Sequence, residues 1–310
     1  WTRWQPRCAV TDARLAAIRS VRAERPEAVL EAAAGRRRRP FMDESGRLLL
    51  IAADHPARAA LSVRDRALAM ADRDDLLSRL LVALSRPGVD GVLATADITE
   101  DLMLLGALED KVAVGSMNRG GLKGAVFELD DRFTGYDAET IEAMGLDGGK
   151  MLCRIAFDDP GSVATLESCG RAVTELARRR RIALIEPFVS AREDGRVTNL
   201  LTLDSIVTSV SVASGLGATS AYTWLKLPVV DAMEQVMAAT TLPALLLGGD
   251  PYERPDDTYA KWQQALGTDG VSGLVVGRAL LYPPNDDVSA AVDIAARLVR
   301  PESRSGGGEP

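Results

Sequence analysis

The sequence has 310 residues, with 37 basic and 44 acidic side chains and a formal net charge of −7. It therefore presents no overall positive field that would attract nucleic acid or an anionic membrane. Its longest apolar runs, such as 48–53 and 242–247, are much shorter than the roughly 20 residues that cross a bilayer, and its N-terminal residues do not resemble a signal peptide. We expect a cytoplasmic protein with no membrane or nucleic-acid partner.

The cysteine and histidine content argues against two kinds of stabilising site. The three cysteines are odd in number and follow no paired spacing, so we expect reduced thiols. Catalytic zinc is usually held by several histidines or by histidines and carboxylates, and His55 is the single histidine of the chain. We therefore expect no zinc and no cofactor, while a magnesium ion bound by carboxylates stays an alternative.

The N-terminal part reads as a helical extension, assigned to residues 1–44. Two helical patterns, at 12–23 and 26–34, precede the first strand, and we expect them to cover one end of the following domain. Four consecutive arginines at 36–39 are followed by Pro40. This run is typical of a solvated loop, with an anion-binding patch as the alternative.

From there, short apolar runs alternate with amphipathic segments, a pattern typical of parallel strands joined by crossover helices. The predicted strands are 48–54, 91–97, 111–116, 151–157, 182–189, 220–226, 244–248 and 273–277. The predicted helices are 72–84, 100–108, 138–144, 162–179, 201–214, 230–240, 257–266 and 287–299. Eight strands that are apolar almost throughout favour a (β/α)8 TIM barrel at 45–300, followed by a disordered tail at 301–310. An open doubly wound sheet is the rival, although no glycine-rich turn follows the first strand.

The active site of such a barrel lies at the C-terminal ends of its strands, and polar residues collect there. The candidates in chain order are Asp54, His55, Asp97, Ser116, Asn118, Asp158, Asp159, Glu186, Lys226, Gly248, Gly249, Asp250, Gly277 and Arg278. The long segment 118–137 after the third strand is either a substrate loop or ordinary irregular structure.

Lys226 is the strongest catalytic candidate. The chain has five lysines against 32 arginines and so takes arginine where a plain positive charge suffices, yet Lys226 lies in an apolar strand. Desolvation lowers the pKa of a lysine and leaves a neutral amine that can attack a carbonyl. The alternative is a structural ion pair with Glu186 or Asp54.

Glu186 lies in apolar sequence on the preceding strand, where burial would raise its pKa toward neutrality. It is a candidate proton-transfer residue, or else the counter-ion of Lys226. Asp54 either moves a proton or orients a substrate hydroxyl, or it caps the following helix. His55 reads more readily as a loop residue than as a base.

The last two strands end in residues suited to an anion. Gly248 and Gly249 follow strand seven, and Gly277 and Arg278 follow strand eight. Glycines leave backbone N–H groups accessible and an arginine adds a bidentate charge, so these loops predict a phosphate site.

Five short segments together resemble the class I aldolase superfamily of deoxyribose-phosphate, archaeal-type fructose-bisphosphate, tagatose-1,6-bisphosphate and sulfofructosephosphate aldolases. They are 51–55, 148–150, 185–187, 225–228 and 276–279, and the resemblance covers residues 46–282. It implies that Lys226 is the Schiff-base lysine, Lys150 a second active-site amine and Arg278 a phosphate ligand. Glu186 and Asp54 would then transfer protons or bind a substrate hydroxyl.

The sequence thus predicts a class I aldolase that cleaves a phosphorylated ketose or keto-deoxy sugar acid. For members of this group in inositol catabolism, the resemblance implies retro-aldol cleavage of 6-phospho-5-dehydro-2-deoxygluconate to dihydroxyacetone phosphate and malonate semialdehyde. The alternatives are a metal-assisted isomerase or lyase using Asp54, Asp97 and Glu186, and a non-catalytic barrel that binds sugar phosphates. The expected partner is a small phosphorylated sugar, and a homo-oligomer is possible.

Overall fold

Strands and helices alternate along the described chain, which comprises residues 12–118, 121–249 and 254–301 of a computed structural model. The strands are β1 (Leu48–Ala52), β2 (Gly91–Ala94), β3 (Val112–Ser116), β4 (Gly148–Ile155), β5 (Ile182–Glu193), β6 (Arg196–Asn199), β7 (Thr223–Leu227), β8 (Ala244–Leu247) and β9 (Val271–Val276).

The helices that precede or follow these strands are mostly amphipathic. They are α1 (Asp12–Glu24), α2 (Ala28–Gly35), α3 (Arg73–Ser85), α4 (Ala96–Leu104), α5 (Ala138–Ala143), α6 (Gly161–Arg178), α7 (Leu203–Ser214), α8 (Met233–Met237), α9 (Pro255–Ala265), α10 (Arg278–Leu281) and α11 (Val288–Val299), with a short 3-10 helix at Pro56–Arg58. No helix in the described ranges combines the length and the apolar character needed to cross a membrane. Most of the predicted tail, and Asp250, lie outside the described residues.

Eight parallel strands of the described chain form a closed barrel. The strand order is β4-β3-β2-β1-β9-β8-β7-β5, and β4 also pairs with β5, which closes the ring. The ninth strand, β6, pairs antiparallel with the outer half of β5 and lies outside the ring. The predicted (β/α)8 barrel is therefore confirmed, and the open doubly wound sheet is wrong.

Alternation along the strands decides which side chains enter the barrel. In β1, Leu48, Leu50 and Ala52 belong to the apolar cluster inside the barrel, whereas Leu49 and Ile51 pack outward against the helices. Because side chains alternate between the two faces of a strand, the next inward position after Ala52 is Asp54. The apolar interior layers therefore give way to polar side chains at the C-terminal end.

The opposite end of the barrel is closed by the segment that follows α2. Phe41 and Met42 pack against the apolar interior, and the Phe41 ring meets Trp224 edge to face at a centroid distance of 5.3 Å. The helices α1 and α2 instead lie beside α4, where Arg22 binds Asp101 with an N–O distance of 2.8 Å. The expected cover thus comes from the loop and not from the two helices.

The expectation of a solvated loop at 36–39 is wrong for two of its arginines. Arg36 is buried and donates to the carbonyl oxygens of Lys111 and Gly145 at 2.7 and 2.8 Å. Arg39 binds Asp90 at 2.6 Å. These partners lie 51 to 109 residues away in sequence, so local charge patterning could not predict them.

Candidate active site

A cavity of about 690 Å³ opens at the C-terminal end of the barrel. Side chains from the ends of six barrel strands and from the loops above them line it. They include Asp54, His55, Arg58, Lys123, Glu128, Lys150, Arg154, Glu186, Arg196, Asn199, Lys226, Gly248, Gly249, Gly277 and Arg278. Every residue predicted from the sequence as catalytic or phosphate-binding therefore faces one cavity.

Two lysines and two carboxylates form a chain of contacts at the floor of this cavity. The Lys150 Nζ lies 3.0 Å from Asp54 Oδ2 and 2.5 Å from Glu186 Oε2. The Lys226 Nζ lies 3.1 Å from the other oxygen of the same carboxylate, Glu186 Oε1. Glu186 therefore bridges the two amines, and the counter-ion interpretation of Glu186 and its proposed proton transfer share one geometry.

All four side chains are withdrawn from solvent. The side chains of Lys150 and Asp54 are each 2% exposed, and those of Lys226 and Glu186 are 6% and 12% exposed. In this environment ionised groups require partners, which the alternating amines and carboxylates supply. Ser116 Oγ also donates to Asp54 Oδ2 at 3.5 Å, and the N-cap of the following 3-10 helix is His55, so Asp54 does not serve as that cap.

The position of Lys150 corrects the predicted start of the fourth strand. The strand begins at Gly148 and not at 151, so Lys150 is an inner residue of β4 paired in register with Leu184. Glycine is needed at the two preceding positions because a Cβ on Gly148 would lie 2.4 Å from the Ile182 carbonyl oxygen, and one on Gly149 would lie 2.3 Å from Met117 Sδ. These glycines permit close packing and do not mark a turn.

His55 lies in the cavity between the amine network and the phosphate-type loops. Its Nδ1 is 3.7 Å from Asp54 Oδ1 and has no hydrogen-bond partner among the described residues. Burial lowers the pKa of His55 well below its usual value, and the charges of Arg278 and Lys226 act in the same direction. The imidazole is therefore neutral at ordinary pH.

The predicted phosphate-binding residues surround the ends of β8 and β9. A Cβ on Gly277 would lie 2.4 Å from the Ala52 carbonyl oxygen, so the close approach of β1 and β9 requires glycine there. Gly249 has a φ of +75°, which favours glycine for conformational reasons. Arg278 begins the short helix α10 and lines the same cavity. Each glycine has a structural cause beyond any role in binding.

Sequence reasoning missed a second group of charged residues at the cavity mouth. Arg58 binds Glu128 and Asp131 at 3.0 and 3.3 Å, and Arg154 binds Glu128 at 2.7 Å. Burial, followed by the charge of Arg58, lowers the pKa of Arg154 to about 10. Burial opposes ionisation of Glu128, but the Gly124 N–H and both arginines hold its pKa below the usual value.

Sequence reasoning also missed a β-hairpin that overhangs the cavity. The fifth strand was expected to end at 189 but continues to Glu193, and β6 returns from Arg196 to Asn199. Asp194 and Gly195 form the two-residue turn with φ values of +47° and +77°. An Asp-Gly pair between extended segments is a recognised hairpin signal, so this element could have been predicted.

The carboxylates of the metal-assisted alternative do not converge. Asp97 lies in α4 and not at the end of a strand, and it binds Arg73 outside the cavity. Among the described residues, no three histidine, cysteine, aspartate or glutamate side chains lie close enough together to form a metal site. Asp159 binds Arg192 at 3.3 Å and also does not line the cavity.

Residues 46–296 match the model of the Cgl0159-like family. The chain belongs to the Cgl0159-like family. The crystal structure of Cgl0159 from Corynebacterium glutamicum (Brevibacterium flavum) has 52% sequence identity to this chain and a TM-score of 0.91, and the match covers 94% of this chain and 98% of that one. No curated protein sequence matches the chain.

More distant solved structures share the fold of this Cgl0159-like protein. An archaeal fructose 1,6-bisphosphate aldolase has 16% identity and a TM-score of 0.60, with 87% of this chain and 98% of that chain covered. A second archaeal structure, in which the catalytic lysine is bound covalently to the carbinolamine intermediate, has 16% identity and a TM-score of 0.61 over 87% and 99% of the two chains. At this identity the similarity establishes the barrel fold.

Proposed function

We propose that this protein is a class I aldolase that cleaves a phosphorylated ketose or keto-deoxy sugar acid through an imine on Lys226. The observation that carries the proposal is the Glu186 carboxylate, which lies 2.5 Å from the Lys150 amine and 3.1 Å from the Lys226 amine in the barrel cavity. An amine beside a proton acceptor, in a site largely withdrawn from water, is the arrangement that imine chemistry needs.

The two lysines have different surroundings, which favours different roles. Asp54 and Glu186 both contact Lys150, and two carboxylates stabilise its ammonium form. Lys226 shares Glu186 with that ammonium ion, so Glu186 can accept a proton from Lys226 while Lys150 retains its charge. Lys226 is therefore the nucleophile, and Lys150 holds positive charge next to the reacting oxygen atoms.

The reaction then follows from these positions. The Lys226 nitrogen attacks the ketone carbon, and the carbinolamine loses its oxygen as water to give a protonated imine. Glu186 or Asp54 takes the proton from the hydroxyl on the carbon beyond the scissile bond, so the aldehyde leaves and the bonding electrons enter the imine as an enamine. Protonation of the enamine carbon and addition of water release the ketone and regenerate the Lys226 amine.

The phosphate of the substrate is proposed to bind at Arg278 and the loops of Gly248, Gly249 and Gly277, all of which line the cavity. This binding would orient the ketone against Lys226. A specific candidate substrate is 6-phospho-5-dehydro-2-deoxygluconate, whose cleavage would give dihydroxyacetone phosphate and malonate semialdehyde. Structural similarity to solved Schiff-base fructose-1,6-bisphosphate aldolases supports the reaction class.

A cleavage assay with a panel of phosphorylated ketoses and keto-deoxy sugar acids tests this proposal. In the presence of a chelator, the wild-type protein should release a triose phosphate or an aldehyde from at least one of them. Lys226→Met should lower that rate on the order of 10³-fold or more. The matched control, Lys261→Met, changes an exposed lysine on α9 and should retain the rate. Cleavage that the chelator abolishes, and that Lys226→Met retains, would contradict the proposal.

A further inference from the structure

The charged residues at the cavity mouth form what we call the distal cluster: Arg58, Arg154, Glu128 and Asp131. Glu128 binds both arginines through its Oε1 atom, at 3.0 Å to Arg58 and 2.7 Å to Arg154. Asp131 lies 3.3 Å from Arg58 and 3.8 Å from Arg154. The two carboxylates thereby fix both guanidinium groups in place before any ligand arrives.

The distal cluster lies across the barrel from the proposed phosphate loops. Arg154 is on β4 and Arg278 follows β9, and these strands are separated by four steps around the closed ring of eight. Arg154 is also four residues beyond Lys150 on the same inward face, which places it about 13 Å further toward the mouth. Glu186 on β5 and Lys226 on β7 lie on the strands between the two cationic ends.

Arg154 retains an unused hydrogen-bond donor at this position. Its side chain is 3% exposed and lines the cavity, yet its Nε is buried and has no hydrogen-bond partner among the described residues. A buried N–H without an acceptor costs about 1–3 kcal/mol, which a ligand acceptor would recover. The neutral pairing with Glu128 and Asp131 therefore does not use all of the donors that Arg154 carries.

The remaining charge around the distal cluster is positive. Lys123 and Arg196, both exposed, line the same part of the chain's cavity, and they add two cations to a cluster whose own charges balance. The Lys123 N–H also donates to the Arg58 carbonyl oxygen at 3.0 Å, which ties the loop carrying Lys123 to the arginine. An anion at this end would meet fixed guanidinium groups and a positive surrounding field.

We propose that the distal cluster is a second anion subsite, so that the natural substrate carries an anionic group at each end. The inference rests on the proposed function in taking the ligand as an open-chain sugar derivative with a phosphate at the Arg278 end. The second group is a carboxylate or a phosphate, both of which offer the oxygen acceptors that guanidinium groups bind. Arg58 and Arg154 thereby discriminate against substrates with a single charge.

Calorimetric binding of ligands without a carbonyl group tests this subsite separately from imine formation. Glucitol 6-phosphate has one phosphate, gluconate has one carboxylate, 6-phosphogluconate has both, and glucitol 1,6-bisphosphate has two phosphates. Wild-type protein should bind at least one of the two doubly charged ligands about tenfold or more tightly than glucitol 6-phosphate. The doubly charged ligand that binds more tightly identifies the second group as carboxylate or phosphate.

Variants then assign the gain to the distal cluster. Arg58→Gln leaves Glu128 paired with Arg154, so the fold should hold, and the tenfold preference should fall to within about twofold while glucitol 6-phosphate binds as before. The control Arg192→Gln removes a nearby cation that does not line the cavity and should keep the preference. Equal wild-type affinity for singly and doubly charged ligands, or no binding of either doubly charged one, would overturn the proposal. None of these ligands can form an imine, so the outcome is independent of the chemistry at Lys226.

Discussion

Replacing Lys150 by methionine should destabilise the protein more than the same replacement at Lys226. Lys150 contacts two buried carboxylates, Asp54 and Glu186, so its removal leaves both without that cation, and breaking a buried ion pair from one side costs about 3–5 kcal/mol. After Lys226→Met, Glu186 keeps its 2.5 Å contact with Lys150. The loss is then that of one hydrogen bond between charged groups, about 1.5–3 kcal/mol.

Urea denaturation at pH 7.5, followed by circular dichroism, measures both free energies of unfolding. Adding Glu186→Gln to the Lys150→Met variant removes one of the two orphaned carboxylates and should restore about 1 kcal/mol or more, a coupling typical of residues in direct contact. The reasoning is refuted if Lys226→Met costs as much as Lys150→Met, or if Glu186→Gln destabilises the Lys150→Met protein further.

Two other predictions concern stability. The unfolded chain protonates His55 near pH 6.5, whereas burial keeps it neutral in the folded protein, so the free energy of unfolding should fall by up to about 1.4 kcal/mol per pH unit below 6.5 and should show no His55 contribution above it. His55→Asn should remove this component when urea denaturation at pH 5.5 is compared with that at pH 7.5, and an unchanged difference would contradict the assignment. Gly277→Ala should cost about 1–3 kcal/mol because its Cβ would crowd the Ala52 carbonyl oxygen, whereas Gly249→Ala has open space and should cost about 1 kcal/mol for its positive φ. Thermal unfolding that ranks Gly249→Ala as the more damaging change would reject this comparison.

The barrel and its catalytic floor were accessible from sequence because their signals are local. Alternating apolar strands and helices predicted the closed sheet, and polar residues at strand ends predicted which side chains share the cavity. The scarcity of lysine drew attention to Lys226. The fourth strand was started too late because Gly148 and Gly149 resemble a turn, while their actual cause is contact with Ile182 and Met117 from other parts of the chain.

The distal cluster was not accessible in this way. Arg58 and Glu128 are 70 residues apart, and neither stands in a motif that announces the other. Arg154 could have been inferred from its spacing of four residues from Lys150 on one strand face, but that inference required the correct strand start. The hairpin that brings Arg196 to the cavity had a usable signal in the Asp194-Gly195 pair.

The identity of the lysine that carries the substrate is the central claim of this account. Borohydride reduction in the presence of dihydroxyacetone phosphate, followed by peptide mass mapping of wild-type protein, measures it directly. The account predicts a reduced adduct on the peptide that contains Lys226, with the Lys150 peptide unmodified. An adduct on Lys150, or cleavage turnover with no adduct on either lysine, would contradict it.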